Sequence, residues 1–266
     1  MSSRSRKSVF VSLPAIALSL GWACSAQAGF LPVQNLTFDT FSGASPKNNF
    51  SAVNPAGWFR GTPAGLGDLV FIDAPGTATS SSGGYAVYGP FNNPPPGGNF
   101  VQADGNPDYE STFGQVITGL TAGTHYTLNF WQAAGQQDGF VGATTEQWKV
   151  FFGTTGVVTL TCAGGSCVAT SADSEIDSPL MNTPSGGVTD WNLVSLDLVA
   201  TAAEETLTFL AWGNGGSEAN LPPTVFLAGV NSPALPEPAS LSLFGAGLVG
   251  LIGIARRRRT SRKAAV

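Results

Sequence analysis

Three carboxylates, Asp104, Asp108 and Glu110, fall around the turn Gly105-Asn106-Pro107. A flexible turn rich in oxygen donors suits a hard cation such as calcium, although the spacing is not that of an EF-hand. Aromatic rings form a second set. Trp58, Tyr85, Tyr88 and Phe91 lie in or beside turn-rich segments, where rings can be presented to a sugar. Trp131 and Trp212 alternate against the apolar residues of their own segments and are expected to face outward. Trp148 and most phenylalanines read as core. The single histidine, His125, opens an expected strand and reads as a structural or surface residue. No G-x-S-x-G, H-E-x-x-H or Gly-rich phosphate loop is present. No catalytic centre is therefore expected, and a hydrolase ranks as the third reading.

Strands must position these groups. Short β-rich runs separated by turn residues dominate, and no stretch keeps a helical apolar period. Alternation places strands at 125–132, 147–152, 157–161, 192–199, 206–212 and 224–230. Residues 76–84, rich in Ser and Gly, and 90–98, with Pro94, Pro95 and Pro96, read as loops. The expected fold is all-β, an antiparallel two-sheet sandwich of jelly-roll type.

Both ends carry transport signals. Arg4, Arg6 and Lys7 precede an apolar run and then Ala26-Gln27-Ala28, the pattern of a secretory signal peptide over residues 1–28. Gly21 and Trp22 ahead of Cys24 do not make a lipobox. Removal of the leader leaves two cysteines, Cys162 and Cys167, which in an oxidising compartment form a disulfide or remain as thiols. One histidine and no third cysteine argue against zinc. At the far end, Pro236-Glu237-Pro238 precedes an uncharged stretch at 239–255, followed by Arg256, Arg257, Arg258 and Arg259 within a basic tail at 256–266. A helix over that stretch is about 25 Å long, just enough to span a bilayer. The arginine block then stays in the cytoplasm and the domain at 29–233 faces outward.

That domain holds only Lys47, Arg60 and Lys149 against sixteen carboxylates, a net charge of −13. So acidic a surface is unsuited to nucleic acid or anionic lipid, which need a cationic partner to release counterions. Cations and neutral polymers remain.

The run PEPASLSLFGAGLVGLIGIARRRR resembles the PEP-CTERM sorting signal, here with Leu235 where the usual V-P-E-P-A has Val. The resemblance, over 234–266, implies export, transient anchoring in the inner membrane and recognition by an exosortase at Pro236, Glu237 and Pro238. Transfer to the cell surface or an extracellular polysaccharide matrix follows. The stretches GQVITGLTAGTHYTLNFWQAAGQQ, QWKVFFG and LTFLAWGNGG followed by PPTVFLAGV resemble galactose-binding-like jelly rolls across about 35–230. That resemblance implies a sandwich of the kind used in carbohydrate-binding modules and in purely structural domains. The expected function is a non-catalytic structural or adhesive surface protein. The alternative is a specific carbohydrate-binding module, with calcium at the Asp104 cluster and Trp58, Tyr85, Tyr88 and Trp131 against the glycan.

Overall fold

The computed structural model describes residues 29–41, 47–53, 55–63, 69–106, 111–155, 159–163, 166–213 and 221–231. The expected leader, the sorting tail with Pro236 to Pro238 and Arg256 to Arg259, and the pair Asp108 and Glu110 lie outside them. In chain order the elements are β1 (Gly29–Phe30), β2 (Lys47–Asn49), one helical turn α1 (Phe50–Val53), β3 (Phe59–Pro63), β4 (Val70–Asp73), β5 (Phe100–Asp104), β6 (Ser111–Thr118), β7 (His125–Gln136) and β8 (Thr144–Gly153). They continue as β9 (Thr159–Ala163), β10 (Ser166–Thr170), β11 (Ser174–Asp177), β12 (Met181–Thr183), β13 (Asn192–Val199), β14 (Glu204–Gly213) and β15 (Pro223–Ala228). Among the described residues no helix is long and apolar enough to cross a membrane.

Two sheets pack face to face. The first has the order β1-β7-β15-β5-β4-β2, with β13 pairing β7, and the second the order β11-β8-β14-β6-β3, with β12 pairing β8. All these pairings are antiparallel except β1 with β7. The expected all-β sandwich is therefore present. Period-two alternation explains the layering: on β8, Trp148, Val150 and Phe152 face inward while Gln147 and Lys149 face out. Phe130, Leu128, Val225 and Leu227 of the first sheet meet Phe113, Trp148, Leu207 and Phe209 of the second in one continuous core.

Phe209, on the central strand β14, is the hub of that core. Its ring stacks on Phe113 at 5.5 Å, meets Trp148 edge-on at 6.0 Å, and meets Phe130 of the opposite sheet edge-on at 5.4 Å. Trp148 donates its indole N–H to the carbonyl of Phe226 across the sandwich at 3.1 Å, so its one polar atom is satisfied while the ring is fully buried.

The expected strands are present, and half of them are longer than expected. Residues 192–199 match β13 end to end, whereas 125–132 extends to Gln136 because β7 first pairs β13 and then β15. The segment expected at 157–161 is displaced to β9, which forms a separate hairpin with β10 rather than joining either sheet. Strands β2 to β6 carry too few alternating residues, or too many buried on both faces, to be read in advance.

In the hairpin, Cys162 lies directly opposite Cys167 and only Gly164-Gly165 connects Ala163 to Ser166. A two-residue hairpin makes the first flanking pair hydrogen-bonded and the next one, Cys162 with Cys167, the closer non-hydrogen-bonded kind. Two outcomes follow. Alkylation of the unreduced protein leaves both cysteines unlabelled, and labelling of both shows that they remain thiols. Phe209→Ala lowers the unfolding free energy in urea by about 3–5 kcal/mol, and a loss below about 1 kcal/mol removes Phe209 from the centre of the core.

Candidate functional site

The outer face of the first sheet is not left bare. Residues 74–99 run across it as an irregular strap, and Ala78, Tyr85, Val87 and Phe91 of the strap pack with Phe100, Ala133, Phe226 and Ala228 of the sheet in a second, smaller apolar cluster. A buried ammonium is one of its anchors, beside the bond from the Tyr88 N–H to the Gln136 carbonyl and the bridge of Val87 with Gln137. Lys47, 1% exposed, donates to the carbonyls of Tyr85 at 2.6 Å and Ala78 at 3.3 Å in the strap, and to Gln102 Oε1 at 2.7 Å in the sheet. Its Nζ also lies 3.3 Å from Asp73 Oδ2, its cross-strand partner. A buried cation persists only when so many oxygens replace its water. The strap lies close because Gly83, at φ 88°, places no side chain where a Cβ would come within 2.1 Å of the Lys47 carbonyl oxygen.

Toward the end of the strap the face carries a ridge of half-exposed rings. Phe91 sits 4.4 Å from Phe226, and Trp191 meets Phe100 edge-on at 5.7 Å while donating its indole N–H to the Asn92 carbonyl at 2.8 Å. Trp131, half-buried beside them, is the cross-strand partner of the exposed Leu193. The rings are held in place with part of their surface toward solvent. Of the residues expected to meet a glycan, Trp131, Tyr85 and Tyr88 are all half-buried, and the hydroxyls of the two tyrosines turn to Thr224 Oγ1 and to the Phe140 carbonyl. Trp58 does not fit. Expected on a loop with its ring outward, it is 4% exposed, packs on Phe38, Phe113 and Phe209, and donates its N–H to the carbonyls of Gln34 and Asn35. The segment at 31–41 folds over it, a long-range contact that local turn composition does not signal.

Sequence reasoning missed Lys47 and Trp191. The signal for the first was its rarity, one of three bases in the domain; for Trp191 it was parity, since it shares the outward set of Leu193, Ser195 and Asp197. Trp212, expected outward, is half-buried on the outer face of the second sheet with Lys149 Nζ 5.0 Å over its ring. Lys149 is itself held by Glu175 at 2.5 Å on β11. His125 is exposed and bonded through Nδ1 to Asp197 at 2.7 Å.

Asp73, Asp104, Glu146 and Glu205 are closed off from solvent. Burial pushes Asp104 up to about 7, although its Oδ1 accepts the Asn106 N–H at 2.7 Å. Burial raises Asp73 to about 7 against the pull of Lys47, and lowers Lys47 in turn. It raises Glu146 to about 7, against the hydroxyls of Thr144 and of Thr183, the latter 2.8 Å away. Asp104 is the one member of the expected calcium cluster among the described residues, within which no group of three His, Cys, Asp or Glu side chains is placed to hold a metal.

Residues 234–259 match the family description of the PEP-CTERM protein-sorting motif. The chain carries a PEP-CTERM sorting signal. No curated protein matches the sequence. Among solved structures, the fold of this chain is similar to TmCBM61 in complex with beta-1,4-galactotriose, at 12% identity over 74% of this chain and 94% of that one, with a TM-score of 0.36. It is also similar to the K1 cleaved adhesin domain of Lys-gingipain from Porphyromonas gingivalis W83, at 15% identity over 71% and 96% of the two chains, TM-score 0.35. A third similarity is to the enzymatically active domain of tailspike protein 4 of bacteriophage CBA120, at 14% identity over 66% of this chain, TM-score 0.35. The match spans 19% of the tailspike chain.

The buried carboxyls set a direction for pH. A group raised from about 4 in the unfolded chain to about 7 in the fold keeps its proton when folded. The stability it contributes is complete below the unfolded value and is lost as pH rises through 7. The melting temperature of the protein is therefore higher at pH 5 than at pH 8. Glu146→Gln, which has no charge to bury, raises stability at pH 8 by about 2 kcal/mol and flattens part of the slope. An unchanged slope in E146Q shows that Glu146 is ionised in the fold at neutral pH.

Proposed function

We propose that this is an exported protein, anchored transiently through residues 239–255 with Arg256 to Arg259 in the cytoplasm, and processed by an exosortase at Pro236-Glu237-Pro238. The sandwich then acts at the cell surface or in the extracellular matrix as a non-catalytic structural or adhesive component, holding neutral polysaccharide against the ridge of Phe91, Trp191 and Trp131. One observation carries the reading: the rings are fixed in place yet half-exposed on a strongly acidic domain. Sugars offer apolar C–H faces that stack on such rings, and a ring already held by its neighbours loses little freedom on binding. The net charge of −13 selects against anionic polymers.

The reading as a non-enzyme rests on the sequence, which carries no G-x-S-x-G or H-E-x-x-H motif. A second reading is a module selective for one glycan with calcium at Asp104, Asp108 and Glu110, and it differs from the first in selectivity and metal dependence.

Pull-down of the protein on the producing cell's own polysaccharide, with calcium or with a chelator, tests these readings together. Retention is expected, and Trp191→Ala or Trp131→Ala each weakens it about fivefold, the equivalent of one lost stacking contact. Retention unchanged in both variants removes the ridge from the reading. Loss in chelator alone assigns the metal, and recovery of the mature protein with its tail intact removes the processing step.

A further inference from the structure

Every sheet edge is a row of unpaired N–H and C=O groups, and soluble proteins blunt such edges with short strands, bulges, prolines or charges. In the two sheets of this sandwich the edges at β1, β2 and β12 run two or three residues. The edge at β11 is four residues long with Glu175 and Asp177 exposed, and β3 breaks register between Arg60 and Pro63. β13 is different. It runs eight residues in unbroken register with β7 and contains no Lys, Pro, Gly or bulge. Its only charged side chain, Asp197, is engaged by His125. Among the described residues, no backbone group bonds to its far side.

The sequence of this edge is close to a palindrome. Leu193-Val194-Ser195-Leu196-Asp197-Leu198-Val199 reads apolar-apolar-polar-apolar-polar-apolar-apolar in either direction about Leu196. Parity completes the argument. The N–H of Ala200 donates to the carbonyl of Thr124, so the even-numbered residues of β13 bond to β7 and the odd-numbered ones point their backbone groups outward. A second β13 laid antiparallel about a two-fold axis at Leu196 sets odd residues against odd, and these are the residues with free hydrogen-bonding groups on both strands. That register also sets Leu193 against Val199 of the partner subunit, the two residues that β13 leaves 50% and 44% exposed. Ser195 meets Asp197 of the partner subunit, and no like charges face each other.

We propose that β13 is a self-pairing edge through which two copies of this chain join their first sheets into one continuous antiparallel sheet. A closed, isologous contact of this kind uses the same patch on both subunits. It is independent of what the aromatic ridge binds.

Light scattering of the full chain in detergent micelles, corrected for bound detergent, is expected to give a dimer. Leu193→Lys with Val199→Lys sets two lysines against two lysines across the axis and weakens the dimer at least about tenfold, one close like-charge contact at a partly exposed site. Leu193→Lys with Val199→Glu sets each lysine against a glutamate and restores it. Both side chains are half-exposed, so circular dichroism and the melting temperature stay unchanged and separate loss of pairing from loss of fold. A monomer at every concentration overturns the proposal, and so does a dimer that survives the double-lysine variant. A dimer lost in both double variants overturns the register about Leu196 and with it the proposed contact.

Discussion

Phe209 is the point at which the two sheets become one structure. It lies on the central strand of the second sheet, and its ring touches Phe113 and Trp148 in its own layer and Phe130 in the other. Edge-to-face and stacked contacts between quadrupolar rings are directional as well as apolar, so they set the spacing of the layers in addition to excluding water. Trp148 adds a polar tie, since its indole proton has no acceptor other than a carbonyl of the opposite sheet. Once those rings are seated, the inward residues of each strand are determined, and by the period of two so are the outward ones.

The outward faces are where the domain acquires its surfaces. On the first sheet the covering strap exists because Lys47 has lost its water and takes strap carbonyls in its place. A buried cation of this kind is costly by itself, and its partners repay that cost only in a narrow geometry, which makes it a locator of the strap more than a source of stability. The strap in turn brings Phe91 against Phe226 and Asn92 under Trp191, so the half-exposed ridge depends on how the strap is anchored. On the second sheet Lys149 does the opposite. It is partly solvated, lies over Trp212 and is tied to Glu175, which occupies a ring that the alternation alone suggested was open.

What was legible depended on whether the information was local. The strands at 192–199, 206–212 and 224–230 could be read because one face of each is buried and the other is not, or because β-branched and aromatic residues cluster between turns. Trp58 was misread as an exposed loop ring because what buries it is the segment at 31–41, more than fifteen residues away in sequence, and local composition contains no trace of that contact. Lys47 and Trp191 were overlooked because a lysine beside two asparagines and a tryptophan beside an aspartate look like ordinary surface.

Taken alone, the sequence determined the sorting motif and the fold class of the protein. Sorting motif, charge partition and strand periodicity depend on residues near one another in the chain, where order and spacing are the physics. Only the tertiary structure decided which rings are exposed, which carboxyls are buried and which sheet edge stays open. Each of those is set by desolvation, and whether a group meets water depends on segments that the chain brings together from far apart.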